Sequence, residues 1–163
     1  MTQQLQTEML GPGAVVQVVS NSSGALATGT TTIPSDDTIP QNTEGTALAA
    51  LDTTITPKSA TNKLLIEMVL NVSASTAVQA IAALFQDSTA NAIAAGGVSI
   101  SGSLLLGQVK IVFQMTAGTT SATTFKVRYG PASAATITIN GSNAARLFGG
   151  VMLSSLTVTE IAA

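Results

Sequence analysis

The sequence predicts an all-β chain, an antiparallel β-sandwich of jelly-roll-like type, and three observations carry that expectation. Threonine and serine dominate the polar residues, whereas helix-favouring Glu and Lys are rare in a chain that is only 9% charged. Several segments alternate apolar and polar residues with a period of two. Clusters of Gly, Pro, Asn and Asp recur often enough to separate about eight to ten short strands. The 163 residues suit one domain, and with 45% hydrophobic but only 3% aromatic residues the core must be aliphatic. Phe85, Phe113, Phe125 and Phe148 are its expected bulkiest members.

The first thirteen residues differ in kind. Met1, Leu5 and Met9 are spaced by four, with Leu10 beside them, and Gly11-Pro12-Gly13 then stops any helix. Ten residues hold no helix alone in water. The segment 1–13 therefore reads either as an arm that docks through Leu5, Met9 and Leu10 and becomes ordered there, or as a frayed terminus. The domain proper reads as 14–163.

AVVQVVS opens the strand series. In KLLIEMVLNV, Leu64, Ile66, Met68, Leu70 and Val72 point one way and Leu65, Glu67, Val69 and Asn71 the other. Both faces are apolar enough that one should meet the core and the other a second sheet or a neighbouring subunit. AVQAIAALFQ is ambiguous: Val78, Ile81, Ala82 and Phe85 have helical spacing, while a strand puts Ile81, Ala83 and Phe85 on one face. The strand is preferred because its neighbours are β. VKIVFQM places Val109, Ile111, Phe113 and Met115 together, and FKVRYG sets Phe125, Val127 and Tyr129 against Lys126 and Arg128. ATITIN opposes Ile137 and Ile139 to its threonines, and MLSSLTVTEI aligns Met152, Leu156 and Val158. Turns are expected at Ile33–Asp36, Asp87-Ser88, Ala95–Gly97, Ala117–Thr119, Tyr129–Pro131 and Asn140–Ser142.

Composition narrows the chemistry. The chain has no cysteine and no histidine, so disulfides, thiolate catalysis and imidazole acid/base work are excluded, as is the usual His/Cys route to zinc. Six cations, thinly spread, are outweighed by eight acids, so no basic footprint for nucleic acid exists. The N-terminus lacks the pattern of a signal peptide, and no run is long and apolar enough for a membrane span. The expectation is a non-enzymatic protein complete from Met1, with no cofactor, no nucleic-acid partner and no membrane partner.

Three carboxylates, Asp36, Asp37 and Glu44, gather in DDTIPQNTEG. Calcium takes oxygen ligands from such loops, but this spacing lacks the alternating ligands and following glycine of an EF-hand. Pro34, Pro40, Asn42 and Gly45 instead mark a surface connection. Glycosidase chemistry needs a second acid across a cleft, yet Asp52, Glu67, Asp87 and Glu160 sit singly. Gly96-Gly97 and Gly149-Gly150 lack a phosphate-loop lysine and read as turns or bulges. Arg146 reads as a subunit salt bridge or as a lone exposed charge. Asn21, Asn71 and Asn140 head N-x-S sequons to which no role is assigned.

IPSDDTIPQNTEG, ITPKSATNKLLIE, ALFQDST, MTAGTTSATTFKVRYG and LTVTEIAA together resemble a β-sandwich module recurrent in tailed-bacteriophage virion proteins, over roughly residues 14 to 163. The resemblance implies a jelly-roll-like homotrimer on the virion surface, made in the host cytoplasm. It also implies either a capsid decoration protein bound to the major capsid protein or another virion protein, or the receptor-binding end of a short tail or head fibre. No shaft, collagen-like repeat or heptad precedes the module, which favours decoration. The second apolar face of KLLIEMVLNV makes Leu65 and Val69, with Arg146, the candidate trimer contacts. A receptor-binding module would use the loops Thr116 to Ala122 or Ser133 to Ala135. In the resembling family the acidic stretch links early strands and has no catalytic part.

Overall fold

A computed structural model describes residues 11–163. It contains thirteen strands: β1 (Val15–Ser23), β2 (Ala27–Gly29), β3 (Thr46–Ala47), β4 (Thr53–Ile55), β5 (Lys63–Ala74), β6 (Val78–Gln86), β7 (Ala94–Ile100), β8 (Leu106–Thr116), β9 (Thr123–Pro131), β10 (Ile137–Ile139), β11 (Gly141–Ser142), β12 (Ala145–Arg146) and β13 (Ser154–Ile161). Among the described residues the only helical turns are two short 3-10 segments, Ala49–Leu51 and Phe148–Gly150. The strands exceed the expected number because β3, β11 and β12 are two-residue pieces too short to leave a periodic trace in the sequence.

All strand pairings are antiparallel; they form the six- and five-stranded sheets of a jelly-roll-like sandwich and a separate two-stranded hairpin, β11–β12. Each sheet is organised by one long strand. In the first, β8 pairs along one edge of β5, while β13 (against Lys63–Val69) and β10 (against Val72–Ala74) share the other edge in succession. β1 and β2 extend that sheet outward. In the second, β6 runs along one edge of β9, and β4 and β3 share the other; β7 lies outside β6. A shared edge releases the chain in mid-sheet, so the segment from Asn140 to Leu153 leaves the first sheet where β10 ends and β13 has not yet begun.

The alternation in β5 has the expected consequence. Leu64, Ile66, Met68, Leu70 and Val72 are buried in the core between the sheets, while Leu65, Glu67, Val69 and Asn71 lie half-buried on the outer face. Each such buried Leu or Ile contributes on the order of 2 kcal/mol by leaving water. Val109, Ile111, Phe125, Val127, Tyr129, Ile137, Ile139, Leu156 and Val158 complete the core, with Phe113 and Met115 packed against it. The ambiguous AVQAIAALFQ is the strand β6. Its core face is Ala80, Ala82 and Leu84, whereas Ile33 and Ala92 pack with Ile81, Ala83 and Phe85 in a second, smaller cluster.

Four expectations are corrected. Ala95–Gly97 is no turn but the middle of β7, paired with Ala83, Ala82 and Ile81 of β6; glycine suits the position because a side chain at Gly97 would press to 3.1 Å from the Ala80 carbonyl oxygen of the paired strand. Tyr129–Pro131 ends β9 as strand, and there a Cβ on Gly130 would collide with the carbonyl oxygen of Thr31. Phe148 is 64% exposed and takes no part in the core. Met152 precedes β13 and is half-buried, so the inward row of that strand is Ser154, Leu156, Val158 and Glu160.

Candidate interaction surface

The acidic stretch links β2 to β3, and two of its three carboxylates, Asp36 and Glu44, are engaged locally. Asp36 Oδ1 accepts hydrogen bonds from both the hydroxyl and the backbone N–H of Thr38 (2.8 Å for the latter), closing an Asx turn. Those two bonds, the hydroxyl's foremost, hold the Asp36 carboxyl below its ordinary value. Glu44 Oε2 accepts from Gln41 N at 2.9 Å, and Arg128 clamps the following backbone by donating to the carbonyls of Glu44 and Gly45. Among the described residues no three His, Cys, Asp or Glu side chains come close enough to hold a metal ion. Beside the stretch runs a groove of about 360 Å³, walled by Pro34, Asp36 and Thr38 and floored by Ile81, Ala95 and Gly97.

Segments far apart in sequence are fastened by single carboxylates. Glu160 is fully buried on β13, and its Oε1 accepts from Lys58 N (2.8 Å), Ser59 N (3.3 Å) and Asn62 Nδ2 (2.6 Å). Its Oε2 accepts from Gln17 Nε2 at 2.6 Å. A β-bulge between Val15 and Gln17 shifts the β1 register so that Gln17 stands opposite Glu160. ITPKSATNKLLIE and LTVTEIAA are thus two halves of one hydrogen-bonded unit. Asp87, at the turn after β6, plays the same part for ALFQDST and TSATTFKV, accepting from Thr123 Oγ1 (2.7 Å) and Thr124 N (2.7 Å). Asp52 is only partly buried, and the loss of water there raises its carboxyl despite the opposing pull of Lys126.

The outer face of the first sheet is read directly from the register. Val18, Thr159, Leu65 and Gln114 form one row across it. Ser20, Thr157, Glu67 and Val112 form the next, and Ser22, Ser155, Val69 and Lys110 a third. Twelve positions thus carry one carboxylate and one ammonium. Leu65 and Val69 share this face, half-buried in the single chain, and Val18 and Val112 are exposed beside them. Arg146 lies outside those rows and is exposed on β12. Leu5, Met9 and Leu10 lie outside the described residues. Gly13 N–H donates to Ala162 O at 2.9 Å, so the described chain begins beside the end of β13. The loops Thr116 to Ala122 and Ser133 to Ala135 issue from opposite ends of β9 and do not form one surface.

The sequence reading missed an apolar crest. Leu104 and Leu105 between β7 and β8, Leu106 at the start of β8, and Phe148, Val151 and Leu153 before β13, are all exposed. Leu26 adjoins Gly141 at their margin. The hairpin β11–β12 covers the outer face at Ser73, whose hydroxyl donates to Gly141 O at 2.9 Å, and Ser142 Oγ donates to Leu104 O. Asn71 Nδ2 donates to Leu153 O at 2.7 Å, so the crest adjoins the rows of Leu65 and Val69. Asn140, given no role above, is the buried hub beneath it: its Nδ2 donates to Ser23 O and Ala25 O, and its Oδ1 accepts from Ser154 Oγ. The available signal was the unalternated run Leu104–Leu106 between glycines, which suits neither face of a strand.

No protein-family model and no curated protein matches this chain. Among solved structures it is similar to Eiger TNF from S. frugiperda, with 9% identity and a TM-score of 0.52 over 89% of this chain and 93% of that one. This likeness is one of fold. A domain of the tailspike protein 4 of bacteriophage CBA120 aligns with 13% identity and a TM-score of 0.27, over 78% of this chain and 19% of that chain, which is too distant to carry an argument.

Proposed function

We propose that this chain is a structural protein of a tailed-phage virion, of the β-sandwich module family that its motifs resemble. In this reading it is a homotrimer that decorates the capsid shell, bound to the major capsid protein or another virion protein. Its work is adhesion and reinforcement, without turnover. The single observation that carries the reading is the outer face of the first sheet, where Val18, Leu65, Val69 and Val112 stand among threonine, serine and glutamine, and the charges in its paired rows are few: Glu67, Lys110 and, in the end row, Lys63. Such a charge-poor face on a lone subunit invites association, and covering it with copies of the same chain removes that liability. The fastening of distant motifs by Glu160 and Asp87 adds support, since the segments that carry the family resemblance are the ones that hold the sandwich together.

The groove beside the acidic stretch favours a second reading, a receptor-binding module of a short fibre, because a concave site lined by Asp36, Ser35, Thr38, Gln79 and Ser99 offers hydrogen bonds to a polar host-surface ligand. The two readings separate when labelled, purified protein is offered to capsids lacking it and to host cells. Saturable binding to capsids, with a trimer by sedimentation, is the expected result. Binding to cells but not capsids would replace decoration with recognition, and a stable monomer at micromolar concentration would remove the trimer.

A further inference from the structure

We infer that the crest formed by Leu104, Leu105, Leu106, Phe148, Val151 and Leu153 is a preorganised contact surface for a second copy of this chain. The inference rests on the self-association in the reading above, and it assigns to that contact a surface outside the rows of Leu65 and Val69.

Exposure is the first support. Val151 is 78% exposed, Phe148 64% and Leu104 58%, and the other three are about half exposed. The two segments adjoin where Ser142 Oγ meets Leu104 O and where Leu106 and Met152 line one groove, and contiguous exposed apolar patches larger than about a few hundred Å² on a soluble protein mark interaction sites.

Backbone geometry is the second, independent support. Six non-glycine residues in the described chain have positive φ, and five of them, Leu104 (68°), Asn140 (57°), Asn143 (50°), Ala144 (56°) and Phe148 (49°), belong to the crest and its hairpin. Leucine and phenylalanine are unfavourable in that region, and such conformations persist only where the surroundings over-determine them. The surroundings here do so. Asn140 fixes the loop before β2 and the start of β13, Thr138 Oγ1 accepts from Ala144 N at 3.2 Å, and Ser142 ties the hairpin to Leu104. The apolar side chains are thus held outward by a rigid support, which lowers the ordering cost of association.

Charge and continuity select the occupant. From Gly141 to Leu153 and from Ser101 to Leu106 the one ionisable side chain is Arg146. A charge-depleted, aliphatic surface is the composition of a permanent interface between copies, whereas a transient foreign partner ordinarily meets a more polar one. Through Asn71 and Leu153 the crest also runs into the charge-poor rows of the first sheet.

The test is sedimentation of the full chain at micromolar concentration as wild type, as the Phe148→Asp/Val151→Asp double variant and as the Leu65→Asp/Val69→Asp double variant. The crest variant is expected to lose at least tenfold in association while keeping a native circular-dichroism spectrum. Should it fail to fold, amide hydrogen exchange of the wild type at low and high concentration replaces it: exchange at 104–106 and 147–153 is expected to slow as concentration rises. A crest variant that assembles like the wild type, or exchange there that ignores concentration, overturns the inference and leaves self-association standing. A crest variant that assembles normally but no longer binds capsids also overturns it, handing the surface to a foreign protein. A wild type that stays monomeric overturns both this inference and the trimer.

Discussion

Tyr129 shows how one side chain can be well packed and poorly served. Its ring lies in the core, 1% exposed, yet its hydroxyl is buried without a hydrogen-bonding partner among the described residues. An orphaned buried hydroxyl costs about 1–3 kcal/mol. Tyr129→Phe is therefore expected to fold at least as stably as the wild type at neutral pH, by thermal or urea unfolding. Burial also pushes the phenol from its ordinary 10.0 up to about 12. Between those values the folded chain keeps a proton that the unfolded chain has lost, so stability is full below pH 10 and falls as pH rises toward 12. The slope is up to about 1.4 kcal/mol per pH unit. Lysines titrate in the same window, so the decisive measurement is the difference between wild type and variant. The Phe variant should lack this part of the decline.

Among elements, the fastening at Glu160 is the most consequential. One carboxylate joins β1, the loop before β5 and β13 by accepting from four uncharged donors. Glu160→Gln keeps the volume but turns an amide NH₂ toward donors that need an acceptor. It is expected to cost about 2–4 kcal/mol, measured by urea unfolding, with the fold retained if enough stability remains. Much of this level was legible in the sequence: β5, β6, β8, β9 and β13 followed from alternation, and the acidic stretch from its prolines. What failed did so for identifiable reasons. Gly97 and Gly130 look like turn residues, yet they are small because another backbone passes close by, a tertiary fact with no local trace. Composition alone points Phe148 to the core and cannot say that a strained loop turns it outward. Glu160 gave no warning because its donors lie about a hundred residues away or more.

For the whole molecule, attachment is argued from number more than strength. If each arm of a trimer carries Leu5, Met9 and Leu10 to the capsid, the second and third arms bind at high effective concentration once the first has engaged. Overall affinity then exceeds that of one arm by on the order of a hundredfold or more. Deleting residues 1–10 is expected to abolish particle binding while sedimentation still reports the trimer. Unchanged occupancy on particles would assign attachment elsewhere.

The pairing of Gly13 with Ala162, and of Ala162 with Ala14, carries a mechanical corollary. Because β1 and β13 are antiparallel and Gly13 pairs with Ala162 at one end of their ladder, tension applied between residues 11 and 163 loads that ladder one rung at a time, as a zipper opens, and not in shear across all its rungs at once. Tension passed from the arm into an assembled neighbour would bypass that weak line. A subunit tethered by the arm and gripped through its faces would therefore resist stretching better than one held by its two ends.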